Sequence, residues 1–269
     1  MPSSRRPAEP SGQGRVTLVG AGPGATDLLT LRAVRALAAA DAVLFDDLVG
    51  ADVLKLIPPA AQRIRVGKRA GRESWAQADI IALMIELARA GSRVVRLKCG
   101  DPMIFGRGGE EVAALRAAGI AYAVVPGISA ANAAAAALCV SLTHRDHARS
   151  VTYLTGFTKE GGVPDGVDWA ALAEPTGTLA IYMAGRVAPR IARRLLLAGR
   201  PAETPVVIAE AVSHPDERTH RLRLKDLLGW RHASDRPVLL LIGDAMAEAC
   251  CPDVSAATAS EALRPAMTM

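Results

Sequence analysis

The sequence predicts an α/β protein of two domains, with a largely parallel sheet in the first and a mixed sheet in the second. Three observations carry this. Up to about residue 127, short β-branched runs alternate with stretches whose apolar residues recur at helical spacing. The connections are short, as a βαβ order that lays strands side by side in parallel requires. From residue 151 onward strands follow one another with one clear helix among them, a texture that implies antiparallel pairs.

Residues 15–19 form the first strand, and a helix over 28–40 follows, with Thr26 or Asp27 as its cap. A strand at 42–45, a short helix at 51–57 and a strand at 63–66 come next. Residues 76–90 place Ile80, Ile81, Met84, Ile85 and Ala88 on one helical face, between a Ser74 cap and a Gly91 stop. Strands at 93–97 and 121–125 flank a helix over 109–118, whose Glu110 and Glu111 suit the positive end of its dipole. An Ala-rich helix after Pro126-Gly127 leads to strands at 151–155, 178–182, 206–210, 220–224 and 238–242 and a helix at 187–198. The expected divisions are an extension over 1–13, domains over 14–128 and 129–247, and an aperiodic, flexible tail over 248–269.

With 269 residues, half of them hydrophobic, the chain can bury a large core. The apolar run over 130–142 carries Asn132 and Ser141 and falls short of the ~18 residues of a membrane span. Arg5 and Arg6 are followed by no signal-like apolar stretch, and the four cysteines show no CxxC pair, so a cytoplasmic protein without a membrane partner is expected. A net charge of +5 favours anionic partners, while 3% aromatics argue against stacking on nucleic-acid bases, so no nucleic-acid partner is expected.

Gly20-Ala21-Gly22-Pro23-Gly24-Ala25 fits the dinucleotide-binding pattern, with Asp46 and Asp47 at the spacing of a ribose-binding acid. Pro23 removes an N–H from that loop, and the helix starts away from the glycines, so a turn that something approaches closely is the better reading. Four further strands also end in polar or glycine clusters: Asp46-Asp47, Gly67-Lys68-Arg69, Gly100-Asp101-Pro102 and Pro126-Gly127. The carboxyl edge of a parallel sheet is where ligands bind. Lys68, Arg96 and Arg107 at or just beyond strand ends are candidate anion ligands, whereas Arg63, Arg72 and Arg93 read as a solvated face. Asp101 and the glycines over 93–111 suit a cofactor lying against the backbone. His144 and His147 have metal-pair spacing, but no Cys or carboxylate cluster completes them in sequence, so no metal is expected.

The passages VGAGPG with LLTLRA, FDDLVG, VGKRAG, RLKCGDPMIFGRGGEE, VVPGISA and LTHRDHARSVTYLTG, over about 15–243, resemble the tetrapyrrole methylase family, in the branch that methylates uroporphyrinogen III. The resemblance implies two α/β domains with the cofactor held between them. It implies S-adenosylmethionine as methyl donor, transfer to C2 and C7 of uroporphyrinogen III to give precorrin-2 and S-adenosylhomocysteine for sirohaem or cobalamin, and a homodimer. By the same resemblance Asp46 is the proton acceptor and Lys68 a proton donor. Pro23, Cys99, Gly100, Asp101, Ile104, Ser129, Ala130, Met183 and the backbone near Val212 contact the cofactor. Arg96, Arg107, Arg145 and Lys68 would meet the substrate's carboxylates, with Thr143 and His144 beside them.

Three residues keep alternatives: Asp46 also reads as an N-cap for the helix after Leu48, Lys68 equally as a charge that only neutralises a substrate carboxylate, and Met183 equally as strand core. Cys99 departs from the family's Gly-Gly-Asp-Pro loop at its first Gly. At positive φ it would cost about 1 kcal/mol or more and alter cofactor affinity. Ser129, Met103 and Phe157 stand where Thr, Phe and His are common. Competing functions are a methylase of a later corrin intermediate, an RNA ribose methyltransferase and a non-catalytic cofactor-binding module.

Overall fold

The structure, a computed structural model, describes residues 14–67, 75–157, 162–164 and 166–250. The expectations resting on Lys68, Arg69, Arg72 and Ser74, and those for 1–13 and 251–269, lie outside the described residues. The chain divides into two compact units. The first holds the residues through Ala130 together with Val212–Asp216, and the second holds Ala131–Ala211 and the residues from Glu217.

In the first unit β1 (Arg15–Gly20), β2 (Ala42–Phe45), β3 (Gln62–Arg65), β4 (Arg93–Lys98) and β5 (Ala121–Val125) form one sheet, ordered β3-β2-β4-β1-β5 and parallel throughout. Helices α1 (Leu31–Ala38) and α2 (Ala51–Lys55) cover one face, and α3 (Gln77–Arg89) and α4 (Gly108–Ala117) the other. The period-2 alternation of strand residues divides the core accordingly. Val19, Val43 and Leu97 pack with Ala33, Leu37 and Val53, while Leu18, Leu44 and Val94 pack with Ile80, Met84 and Leu115. From β1 the chain moves one way to β2 and β3, and from β4 the other way to β5, so the adjacent β1 and β4 ends form the switch point where parallel sheets bind ligands.

The first helix begins later than its apolar period suggests. Thr26–Leu28 is a 3-10 turn, and Thr30, whose Oγ1 accepts the Ala33 N–H at 3.1 Å, caps α1. Thr26 and Asp27 therefore belong to the turn and not to the cap.

The glycine motif owes its composition to the protein's own backbone. A Cβ on Gly20 would lie 2.5 Å from the Gly127 nitrogen and 2.7 Å from the Gly100 carbonyl oxygen. Main chain on both sides cannot yield as a flexible side chain would. Gly20→Ala is expected to lower stability by about 1–3 kcal/mol, as overpacking does. Thermal denaturation checks this, and an unchanged midpoint would show that the three strand ends are not closely packed.

In the second unit α5 (Ala130–Ala137) precedes β6 (Ser150–Thr155), α6 (Trp169–Leu172), β7 (Gly177–Tyr182), α7 (Ala188–Leu197), β8 (Pro205–Glu210), β9 (Arg218–Arg223) and β10 (Val238–Ile242). The sheet order is β6-β7-β10-β8-β9, and only the β6–β7 pair is parallel. Ile191 and Leu195 of α7 pack with Leu179, Ile181 and Leu240. The four-residue α6, too short to show a period, is held by Asp168, whose Oδ1 accepts the Ala171 N–H. The Cys250 N–H donates to the Leu138 carbonyl at 3.0 Å. Among the described residues no helix is long and apolar enough to cross a membrane.

Candidate functional site

Asp46 follows the last residue of β2, and its side chain is 30% exposed. On the neighbouring β4, Arg96 stands level with Leu44 and donates through Nη2 to Asp46 Oδ1 at 2.5 Å. Its Nε donates to Glu111 Oε1 at 3.1 Å, and its Nη1 faces the carbonyls of Leu97 and Leu44. Arg96 is only 2% exposed. Its guanidinium is thus committed inside the unit, which corrects the expectation that it meets a substrate carboxylate.

Lys98, two residues on and so on the same face of β4, donates to Glu111 Oε1 at 3.1 Å and stands 3.8 Å from Asp46 Oδ2. Burial, and next the charge of Arg96, push the Lys98 ammonium below its ordinary pKa, against the pull of Glu111 and Asp46. Glu111, which the sequence offers as a helix-dipole residue, is fully buried and also accepts from Gln77 Nε2 at 3.0 Å. The signal that could have found it is the pair Arg96 and Lys98 on one strand face, two buried cations that require a counter-charge from the helix that follows. Asp46 is not the cap of α2, because Gly50 occupies that position without a side-chain bond.

The loop after β4 is stapled to the loop after β1. Gly100 donates to the Gly22 carbonyl at 2.7 Å, Gly22 returns a bond to the Gly100 carbonyl at 3.2 Å, and Ala21 donates to the Lys98 carbonyl. Asp101 joins the third strand end, since its Oδ1 accepts the Met103 N–H at 2.8 Å and its Oδ2 the Gly127 N–H at 3.0 Å. Gly100 takes the left-handed turn at φ +66°, with nothing within 4 Å of where a Cβ would stand.

Cys99 is not among the residues of positive φ, so the strain expected of it falls on Gly100, where it costs little. Its Sγ lies 4.0 Å from the Pro23 carbonyl. Burial, and next the charge of Asp46, push the thiol up to about 11, so it stays neutral and a poor nucleophile near pH 7. Cys99→Gly is therefore expected to bring no gain in cofactor affinity and to cost about 0.5–1 kcal/mol of stability through added backbone freedom. Calorimetry with S-adenosylhomocysteine and urea unfolding check this, and tighter binding would overturn it.

Non-glycine residues at positive φ gather near the other candidate positions: Phe105 at +50° and Arg107 at +57° after the Asp101 loop, and Ala211 at +51° and Ser213 at +61° on either side of Val212. Such strain persists where surrounding structure over-determines it and clusters at ligand sites. Ser213 Oγ accepts the Ala25 N–H at 2.7 Å, beside Pro23-Gly24. Ile104 donates to the Asp101 carbonyl, Ser129 is buried, and Ala130 opens α5. Arg107 caps α4 and forks onto Glu110 at 2.7 and 2.8 Å, half exposed.

Met183 has φ +56°, is 49% exposed and lies one residue past the end of β7. The core alternative is thereby excluded. Thr143, His144 and Arg145 belong to the second unit. There the fold supplies the carboxylate that the sequence lacked, with Glu248 Oε1 3.9 Å from His144 Nε2 and the two histidine rings stacked at 4.6 Å. His144 Nδ1 accepts the Asp146 N–H at 3.1 Å. A groove of about 600 Å³ in the first unit, lined by Arg15, Arg32, Arg35 and Arg93 and by β5 along its length, shares none of these residues.

Residues 15–228 match the family model of the tetrapyrrole (corrin/porphyrin) methylases. The chain is 48% identical over 232 residues to siroheme synthase 1 of Serratia proteamaculans, covering 86% of this chain and 48% of that protein, so it spans about half the length of the curated relatives it matches. It resembles the crystal structure of uroporphyrin-III C-methyl transferase from Thermus thermophilus complexed with S-adenyl homocysteine, at 39% identity and TM-score 0.75, over 87% of this chain and 99% of that one. A cobalt precorrin-4 methyltransferase gives 30% identity and TM-score 0.74, over 86% and 95% of the two chains. With four-fifths of its length matched by one family model, and with a parallel and a mixed five-stranded sheet in succession, the chain belongs to the tetrapyrrole methylases.

Proposed function

We propose that this chain transfers methyl groups from S-adenosylmethionine to C2 and C7 of uroporphyrinogen III, giving precorrin-2 and S-adenosylhomocysteine. The observation that carries the reading is Asp46, a carboxylate at a strand's carboxyl end that reaches solvent while buried Arg96 holds one of its oxygens. The names of the relatives and of the Thermus structure support the same substrate and cofactor.

The open space at Gly100, beside a loop pinned by Asp101, suits a cofactor lying against backbone. Pro23, Cys99, Gly100, Asp101, Ile104, Ser129, Ala130, Met183 and Val212 would hold it. When bound it supplies an electrophilic methyl group on a sulfonium. Each new C–C bond at a pyrrole carbon leaves a cationic ring that must shed one proton, and Asp46 is the base placed to take it. Lys68 acts as proton donor, while Arg107, Arg145, Thr143 and His144 meet substrate carboxylates. Arg96 acts through Asp46. Family resemblance supports a cytoplasmic homodimer that needs neither nucleic acid nor membrane.

Anaerobic incubation with uroporphyrinogen III and S-adenosylmethionine is the test. A red-fluorescing oxidation product of precorrin-2 is expected. Its absence, or methylation of only a later corrin intermediate or of RNA, would overturn the assignment.

A further inference from the structure

We propose that Glu111 is a positioning residue for Asp46: its buried negative charge draws Lys98 and one arm of Arg96 away, and so leaves an Asp46 oxygen free to accept a proton. The inference rests on the role of Asp46 in the proposed methyl transfer.

Among the described residues, two cations and two carboxylates share this cluster. Glu111 Oε1 takes the Arg96 Nε and Lys98 Nζ donors, both at 3.1 Å, and the Gln77 amide at 3.0 Å. Asp46 receives one direct bond from the pair, from Arg96 Nη2 to Oδ1 at 2.5 Å. Its Oδ2 is 3.8 Å from Lys98 Nζ, beyond hydrogen-bond reach. Asp47, the adjacent acid, is turned to Arg65 at 2.5 Å, and the Cys99 thiol nearby is neutral near pH 7. Among the described residues, the charges that face Asp46 are therefore Arg96 and Lys98 from β4, with Glu111 of α4 behind them.

Glu111 is fully buried and its Oε2 meets no hydrogen-bond donor among the described residues, a desolvation cost that helix capping alone does not explain. What the residue supplies is charge. Without it, a shift of about 1 Å would bring Lys98 Nζ within the usual ~2.8 Å of Asp46 Oδ2. Asp46 would then face two uncompensated cations and become a weaker base.

Glu111→Gln keeps the shape and removes the charge. In the full chain, turnover of uroporphyrinogen III is expected to fall about 10–100-fold, part of the range that general-base catalysis spans, with S-adenosylhomocysteine affinity unchanged. The acid limb of the kcat/KM profile should move to lower pH, because the extra positive charge stabilises the Asp46 carboxylate. Glu111→Gln with Lys98→Met rebalances the charge and should recover most of kcat and return the limb. A limb that stays in place, or a double variant slower than the single one with no return, overturns the proposal. Should Glu111→Gln fail to fold, Lys98→Met alone decides: with Glu111 uncompensated, the limb must move to higher pH, and no shift or the opposite shift refutes the inference. Wild-type protein that yields no precorrin-2 would instead refute the proposed function.

Discussion

Asp46→Asn is expected to slow methyl transfer by about 10²–10⁴-fold, the span that a positioned general base contributes, with S-adenosylhomocysteine affinity held within about twofold. The substitution is nearly isosteric, and its amide oxygen can still accept from Arg96 Nη2, so the strand end keeps its shape. It removes basicity. A methylated pyrrole that cannot lose its proton returns to reactants or waits for water, and the loss should therefore appear in kcat more than in KM. The variant also leaves Arg96 and Lys98 facing Glu111 alone, a net positive buried cluster, so its unfolding midpoint must be measured beside its rate. Turnover within tenfold of wild type would show that another group takes the proton.

The largest effect on stability is expected at Arg200, in the second unit. Arg200 is 2% exposed and makes no carboxylate bond among the described residues; it donates from Nη1 to the carbonyls of Leu172 at 2.9 Å and Glu174 at 3.1 Å, and from Nη2 to that of Gly177 at 3.0 Å. It thereby fixes the turn that leads from α6 into β7. Its Nε has no hydrogen-bond partner among the described residues, and burial pushes its pKa down, so the buried charge is itself costly. Arg200→Met relieves that cost but strands three carbonyls, each worth about 1–3 kcal/mol when unsatisfied. A net loss of about 3 kcal/mol is expected in urea unfolding. Arg200→Lys should fall between, because one ammonium cannot reproduce the planar fork. A loss under about 1 kcal/mol for Met would mean that water re-pairs the carbonyls.

Fold class, the order of the strands along the chain and their polar ends were legible because they are local. Val16, Leu18 and Val19, or Ile80 with Met84, carry their period in the chain itself. Charged side chains were less legible. Arg96 and Arg107 look alike in sequence, each a basic residue at the carboxyl edge of the sheet. One is buried against Asp46 and Glu111, and the other lies half exposed on its own helix. Glu110 and Glu111 are neighbours with the same local propensity, yet the helical turn sends only the second into the core. Cys99 and Gly100 likewise divide a single turn, and the strain fell on the residue that tolerates it.

By itself the sequence determined an α/β chain of two sheets, the glycine and acid clusters that end its first five strands, and the resemblance that led to its family. Tertiary structure alone decided that Gly20 makes room for Gly127 and Gly100, that Met183 stands clear of the core, and that Arg96 serves Asp46 from within. The physical reason is range. Hydrophobic period and turn chemistry are written over a few residues, whereas the fate of a buried charge or a missing Cβ depends on partners such as Asp46 and Glu111, which come from distant parts of the chain and meet only when the sheet closes.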